Sequence, residues 1–257
     1  MPEPDFKPAS VLPEAPRHGA GSRIWEIDFL RGLAIILMVL YHAAFDLREL
    51  AGVRTLLGLE IPSLDSPLLL AARDFFAGLF IVICGLSSSL TRSNLRRAWK
   101  LLGLAAVVTA ATLVFDPASA VHFGILHCLG ICVLLFSLTL EKSRPLTCAA
   151  AGAAVLVFSA ALLILLRNAS VRFDWLLPFG IHSPSYASFD YFPLFPWLGV
   201  YLAGTALGKS VYAPRRSLIP KRLPVSFINI AGRHSLWIYI VHQPVLIGIF
   251  YVTGLLR

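Results

Sequence analysis

An arginine and a histidine share one apolar helix near the start of the chain. The stretch from Asp28 to Phe45 is otherwise apolar, with Arg31 near one end and His42 near the other, and Asp46 follows at once. An offset of eleven residues is three helical turns plus about 20°, so both side chains lie on nearly the same face, about 16 Å apart along the axis. Ionisable groups in a membrane span are costly and tend to face a cavity or a partner. The pattern predicts a polar route through a membrane with a reactive group at its far end.

The composition is that of a helical membrane protein. The chain is 57% hydrophobic and 14% charged, with a mean hydropathy of +0.76, whereas about a quarter of the residues in a soluble domain are charged. We therefore expect an all-α, polytopic transmembrane bundle. The net charge of +8 lies in loops, which favours the positive-inside rule and anionic lipid over nucleic acid. Four cysteines in apolar stretches predict small buried residues, without a disulfide framework or a metal site.

The chain divides into a polar tail and one membrane domain. Residues 1–22 are rich in proline and predict a disordered cytoplasmic tail, and residues 23–257 predict a single transmembrane domain. Residues 218–232 are compatible with a short helix on the membrane surface. Seven spans are predicted, at 27–45, 68–90, 98–115, 121–140, 147–166, 191–208 and 235–255.

Lysines and arginines are concentrated in the tail and in alternate loops, which predicts a cytoplasmic N-terminus. This orientation places Arg31 towards the cytoplasm and His42 towards the outer face. His127 and Arg73 also map to outer ends of their spans, and His242 lies within the last span. We regard these three as candidate substrate-binding residues; the alternative for His127 is a satisfied core histidine, and for His242 a tie between the last helix and the bundle.

The first helix resembles known acyltransferases. Arg31-Gly-Leu-Ala-Ile-Ile-Leu-Met-Val-Leu-Tyr-His42 is similar to the Arg-x10-His signature of bacterial membrane acyltransferases that modify surface polysaccharides. The longer segment from Glu26 to Asp46 resembles the opening helix of the heparan-α-glucosaminide N-acetyltransferase catalytic-domain family. Later segments are similar in the same order, at 80–90, 123–130, 195–204 and 232–244.

The resemblance implies an integral-membrane acetyltransferase, which uses cytoplasmic acetyl-CoA to acetylate a sugar amine or hydroxyl on the other side. A bacterial envelope glycan or glycolipid is the expected acceptor, and the bacterial inner membrane the expected location. The expected partners are lipid, acetyl-CoA and this acceptor, without metal or nucleic acid, and homo-oligomer formation is left open.

Each residue of the first helix then has an expected role. Arg31, with Asp28 as its ion partner, would bind the donor phosphates in a fork of hydrogen bonds. His42 would act as the general base, or alternatively form an acetyl-histidine intermediate. Asp46, one turn further on, would fix the imidazole tautomer and stabilise the imidazolium.

Two other classes of protein fit the same pattern. In a transporter or flippase, Arg31 and His42 would line a substrate or proton path without catalysis. In an assembly subunit that positions another enzyme, the first helix would serve only packing.

Overall fold

The computed structural model describes residues 24–56, 58–63, 66–167, 171–219 and 226–256. The predicted tail, residues 1–22, lies outside them, and the division into tail and single domain stays a prediction. The described residues form eight α-helices and one short antiparallel hairpin with exposed strands, β1 (Thr55–Leu56) and β2 (Leu59–Glu60). The helices are α1 (Trp25–Phe45), α2 (Pro67–Leu90), α3 (Asn94–Phe115), α4 (Ile125–Thr139), α5 (Pro145–Leu166), α6 (Leu194–Val211), α7 (Ser226–Arg233) and α8 (Ser235–Val252).

The all-helical architecture is confirmed, and each of the seven predicted spans overlaps one helix. Five segments of the described chain are long and apolar enough to cross a membrane: Trp25–Leu50, Leu69–Leu90, Asn94–Phe115, Pro145–Leu166 and Ser235–Val252. Helix α4 has 15 residues, which is about 22 Å at 1.5 Å per residue, against a hydrocarbon core of about 30 Å. The count of seven spans and the cytoplasmic N-terminus therefore stay predictions. Helix ends are called inner and outer according to that orientation.

Local sequence sets several helix ends. Pro67 and Pro145 occupy the first position of α2 and α5, where the missing N–H has no intrahelical partner to lose. The Ser66 hydroxyl accepts a hydrogen bond from the Leu69 N–H and caps α2. Just beyond the C-terminal end of α4, the Lys209 ammonium donates to the backbone carbonyls of Leu140, Glu141 and Ser143.

The core lies where α2, α3, α4 and α6 meet, around buried Ile81, Leu129, Phe136 and Tyr201. By contrast, α5 leaves large apolar side chains exposed on its outer half, namely Val157, Leu163, Ile164 and Leu165. Exposed apolar surface of this extent on a long apolar helix fits contact with lipid. Helix α1 packs against α2, α7 and α8.

Helix α1 and the short helix α7 cross at unusually close range. A Cβ added to Gly32 would lie 1.8 Å from the Ile228 carbonyl oxygen, and one on Gly232 would lie 1.8 Å from that of Asp28. Glycine is therefore required on both sides of the crossing. A short helix, expected within 218–232, is present as α7 at 226–233, and its position on the membrane surface stays a prediction. The crossing brings Arg233, the last residue of α7, beside the inner half of α1.

Candidate active site

At the inner end of α1, Arg31 points into the bundle. Its Nη2 donates to the Ser87 hydroxyl of α2 at 2.7 Å, and its Nη1 donates to Asp28 Oδ1 at 3.2 Å. The Arg31 side chain is 22% exposed. The guanidinium thus lies between α1 and α2, close to the end of the bundle predicted to face the cytoplasm.

Asp28 joins two arginines. Its Oδ1 pairs with Arg31, and its Oδ2 lies 3.5 Å from Nε of Arg233 at the end of α7. The Asp28 side chain is 9% exposed, whereas that of Arg233 is 43% exposed. A buried carboxylate is stable when it is paired, and here two guanidinium groups share one carboxylate. The expected Asp28–Arg31 pair is present, and Arg233 is a partner that the sequence pattern did not reveal.

At the outer end, one hydrogen bond sets the state of His42. Its Nδ1 lies 2.9 Å from the Met38 carbonyl oxygen, so Nδ1 carries the proton and donates it. Nε2 then presents a lone pair. The His42 ring meets the His242 ring of α8 edge to face, with centroids 4.8 Å apart. A neutral imidazole with a free lone pair is the form that a general base requires.

His242 has the same hydrogen-bonding state. Its Nδ1 donates to the Tyr239 carbonyl oxygen at 2.6 Å, and its Nε2 is buried without a hydrogen-bond partner among the described residues. Two histidines from α1 and α8 thus present acceptor nitrogens at the outer end of α1. The predicted substrate-binding residue His242 is therefore beside the predicted base.

Asp46 lies one turn beyond His42 and is fully buried. Both of its carboxylate oxygens accept from Nε2 of Gln243 on α8, at 2.9 and 3.0 Å. We expected Asp46 to fix the His42 tautomer, but the partner of His42 Nδ1 is Met38. Asp46 lies close enough to act on His42 through its charge. The other amide atom, Gln243 Oε1, is buried and has no partner in the described part of the chain.

A second carboxylate, Asp190, comes from the loop before α6. Its Oδ2 accepts from the Ile125 N–H at 2.9 Å and from the Tyr239 hydroxyl at 2.8 Å. The residue as a whole keeps some exposure, but protein surrounds its carboxyl group, and this burial raises the pKa of Asp190 above its ordinary value of 3.8. His42 and His127 are the titratable side chains closest in charge effect to this carboxyl group.

The sequence pattern missed Asp190 and Gln243 as members of the site. Asp190 is 65 residues from its Ile125 partner, and Gln243 is 197 residues from Asp46. Neither residue belongs to a spaced motif that points to such a partner. The packing of α8 against α1 brings Gln243 to Asp46, and the Ile125 N–H and the Tyr239 hydroxyl hold Asp190 between α4 and α8.

His127 and Arg73 have other partners. His127 Nδ1 accepts from the Gly124 N–H at 3.2 Å, and its Nε2 lies 3.2 Å from the Thr109 hydroxyl. That hydroxyl donates to the Val121 carbonyl, so Nε2 is the donor to Thr109 and both ring nitrogens are engaged. Arg73 pairs with the adjacent Asp74 at 2.8 Å, with both side chains about half exposed (46% and 50%). Their substrate-binding roles stay predictions.

Two cavities lie away from α1. One of about 640 Å³ is at the outer end of α5, beside Arg167 and His182, and one of about 520 Å³ lies between α5 and α6. Neither is lined by Arg31 or His42, so a continuous donor route between these residues stays a prediction. Among the residues that the structure covers, no group of three or more histidines, cysteines or acidic residues could hold a metal ion.

The helices and the polar groups held between α1 and α8 define an integral membrane protein with an internal polar site. Residues 23–244 match the family model described as heparan-alpha-glucosaminide N-acetyltransferase, catalytic, and the chain belongs to this family. Membership and the apolar helices together indicate a membrane acetyltransferase. No curated protein and no solved structure matches the chain.

Proposed function

We propose that the chain transfers an acetyl group from cytoplasmic acetyl-CoA to a sugar amine or hydroxyl of an envelope glycan or glycolipid, across the bacterial inner membrane. The family supports the acetyl transfer. The placement of Arg31 and His42 on one helix, about 16 Å apart along its axis, supports the direction. That separation is comparable to the extended pantetheine arm that joins the nucleotide of CoA to its thioester.

The observation that carries the proposal is the state of His42. Because Nδ1 donates to Met38, Nε2 is free to accept a proton from the attacking amine or hydroxyl. The deprotonated nitrogen or oxygen bonds to the thioester carbonyl carbon, and the carbon–sulfur bond then breaks. The imidazolium returns its proton to the departing CoA thiolate. Asp46 and Asp190 stabilise the imidazolium by their charge.

The acceptor side of the site has unsatisfied hydrogen-bond acceptors. His242 Nε2 and Gln243 Oε1 are both buried without partners in the described chain. Buried polar atoms are normally hydrogen-bonded, and unpaired ones call for an explanation. Sugar hydroxyl and amine groups supply the donors that these two atoms lack. They therefore orient the acceptor beside His42 in this proposal.

Replacement of the base tests the proposal. His42→Ala and His42→Gln should lower acetyl transfer by about 10²- to 10⁴-fold, the usual contribution of a general base. Transfer would be measured with radiolabelled acetyl-CoA and an envelope-glycan extract, using the full chain in lipid vesicles. His122→Ala is the matched control, because His122 also bonds through Nδ1 to a backbone carbonyl, that of Ala120, but is exposed.

The outcome separates three explanations. Loss of transfer in both His42 variants and normal transfer in His122→Ala would support base catalysis. A His42→Ala variant with more than a tenth of normal transfer would contradict it. Vesicles that move a solute and leave the glycan unacetylated would support a transporter instead.

A further inference from the structure

Three consecutive serines end helix α2 on its inner side, and two of them each accept a hydrogen bond from an arginine. Ser87 Oγ accepts from Arg31 of α1 at 2.7 Å. Ser88 Oγ accepts from Nη1 of Arg97, in the first turn of α3, at 2.9 Å. The serine protons are used elsewhere, because Ser87 donates to the Ile83 carbonyl and Ser88 donates to the Cys84 carbonyl. Both hydroxyls therefore face the guanidinium groups as neutral acceptors.

Arg97 has neutral partners. Besides Ser88, its guanidinium donates to Cys84 Sγ at 3.0 Å and to the Cys84 carbonyl oxygen at 3.4 Å. The carboxylate of Glu141 is held by Asn94 and Ser137 instead. No salt bridge to Arg97 occurs within the described ranges. This half-buried cation at the end of a membrane helix is thus solvated by dipoles, with no counter-ion among the described residues.

The two arginines converge on one strip of α2. Cys84, Ser87 and Ser88 stand at positions i, i+3 and i+4, which lie on one face of a helix. The Cys84 thiol is close enough to both Arg31 and Arg97 for both charges to act on it. Arg233 joins the same end through Asp28. Arg31 and Arg233 share the carboxylate of Asp28, whereas Arg97 has neutral partners. Three guanidinium groups from α1, α3 and α7 therefore gather at the inner end of the bundle.

We infer that Arg97 is a second phosphate-binding arginine and that, with Arg31, it holds the nucleotide phosphates of the acyl donor. Arginine forks bind phosphate oxygens in pairs, and CoA presents a pyrophosphate and a ribose phosphate at its nucleotide end. The inference rests on the proposed function for the identity of the donor. The inference also predicts a donor specificity. The site distinguishes nucleotide-bearing donors from acetyl-pantetheine, which has the same thioester but no nucleotide phosphates.

Binding measurements on the purified full chain in zwitterionic lipid nanodiscs test the inference. Arg97→Gln should bind acetyl-CoA at least tenfold more weakly than the wild type and bind acetyl-pantetheine equally well. Arg96→Gln is the matched control, because Arg96 belongs to the same turn of α3 but is exposed; it should bind both ligands as the wild type does. Arg97→Lys keeps the positive charge but lacks the forked guanidinium. We expect it to lose less affinity for acetyl-CoA than Arg97→Gln does, and none for acetyl-pantetheine.

The inference would be overturned by unchanged acetyl-CoA binding in Arg97→Gln, by equal weakening of both ligands, or by equal weakening in Arg96→Gln. If Arg97→Gln does not fold, Arg97→Lys takes its place and the same comparison of ligands decides. Nanodiscs with anionic lipid form a separate arm. Loss of bound anionic lipid in the Arg97 variant, with acetyl-CoA affinity intact, would assign Arg97 to lipid headgroups and overturn the inference.

Failure of the proposed function looks different. Arg97-dependent binding of acetyl-CoA, without transfer of acetyl to any glycan, would uphold the phosphate site and refute the acetyltransferase proposal. Transfer that depends on His42 but not on Arg97 would uphold the acetyltransferase proposal and refute the phosphate site.

Discussion

A single hydrogen bond decides which nitrogen of His42 can accept a proton, and its acceptor, Met38, is one turn away on the same helix. Helical spacing alone predicts Arg31, His42 and Asp46 on one side of α1. It was not enough to find Gln243, because its link to Asp46 spans 197 residues. Local periodicity determines which face a residue occupies, whereas the partner on the facing helix depends on how the whole bundle packs.

Removal of the Gln243 amide should destabilise the fold. Gln243→Leu leaves the fully buried Asp46 carboxylate without its donor, and such an orphaned group costs about 1–3 kcal/mol, or more when charged. The apparent Tm of the purified protein should fall accordingly. Asp46→Asn combined with Gln243→Leu should recover part of that loss, because the unpaired charge is then gone. Strictly additive losses in this double-mutant cycle would contradict the pairing.

At the scale of elements, hydrophobic periodicity predicted helices at the correct places, but several ends differ. Helix α4 begins at Ile125 and not at residue 121. One reason is tertiary, because Asp190 accepts the Ile125 N–H, and the other is local, because His127 accepts the Gly124 N–H; the first turn starts where these side chains reach it. An added Cβ on Gly124 would lie 2.3 Å from Asp190 Oδ2, so the close approach of this loop also depends on a glycine.

The crossing of α1 and α7 should not tolerate even one methyl group. Gly32→Ala forces a Cβ to within 1.8 Å of the Ile228 carbonyl oxygen, and overpacking of this kind costs about 1–3 kcal/mol. The apparent Tm should fall, and donor binding should weaken because Arg233 moves away from Asp28. Gly248→Ala is the control, since nothing lies within 4 Å of its added Cβ, and alanine is favoured over glycine in helices by about 0.5–1 kcal/mol. Equal Tm changes in both variants would refute the tight crossing.

The loop that carries Asp190 should give a pH-dependent stability. Burial raises the pKa of this carboxyl above 3.8, so the folded state binds the proton more tightly than the unfolded state. The favourable contribution of the protonated form is complete below pH 3.8 and is lost as the pH rises through the higher folded pKa. Asp190→Asn has no such loss, so the Tm of the wild type should fall relative to that of Asp190→Asn as the pH rises above 3.8.

Two comparisons check the origin of this pH dependence. Asp174→Asn is the control, because the pKa of exposed Asp174 is lowered by a hydrogen bond from the Ser183 N–H. As the pH rises, the Tm of the wild type should therefore rise relative to that of Asp174→Asn, which is the opposite of the change expected for Asp190→Asn. The Tm difference between Asp190→Asn and the wild type also cancels the contribution of every titrating group that the two proteins share. A pH-independent difference would show that the Asp190 carboxyl does not titrate in this range.

At the scale of the whole molecule, composition predicted a helical membrane protein, and the family and the helices agree. The number of crossings was harder to predict because α4 is short and α6 is interrupted at Phe195, which has a non-helical backbone. The length of an apolar helix predicts a membrane crossing when that helix contacts lipid along its whole length. Helix α4 is instead largely buried in the protein core.

Cysteine labelling tests the predicted crossings. A membrane-impermeant maleimide should label Ala118→Cys in intact cells, and should label Ser93→Cys and Lys142→Cys only after permeabilisation, because α3 and α4 each cross once in the predicted topology. The three positions are exposed, and the native cysteines are buried and free, so the background is low. Labelling of Lys142→Cys in intact cells would mean that α4 does not cross.

The pairing of α1 with α7 and α8 has a consequence for biosynthesis. Asp28, His42 and Asp46 are made early, but Arg233, His242 and Gln243 are made more than 180 residues later. A nascent chain on the ribosome therefore has neither end of its site assembled, and its Asp46 carboxylate lacks its amide donor until α8 enters the bilayer. In the proposed mechanism, acetyl transfer therefore begins only when the last described helix closes against the first.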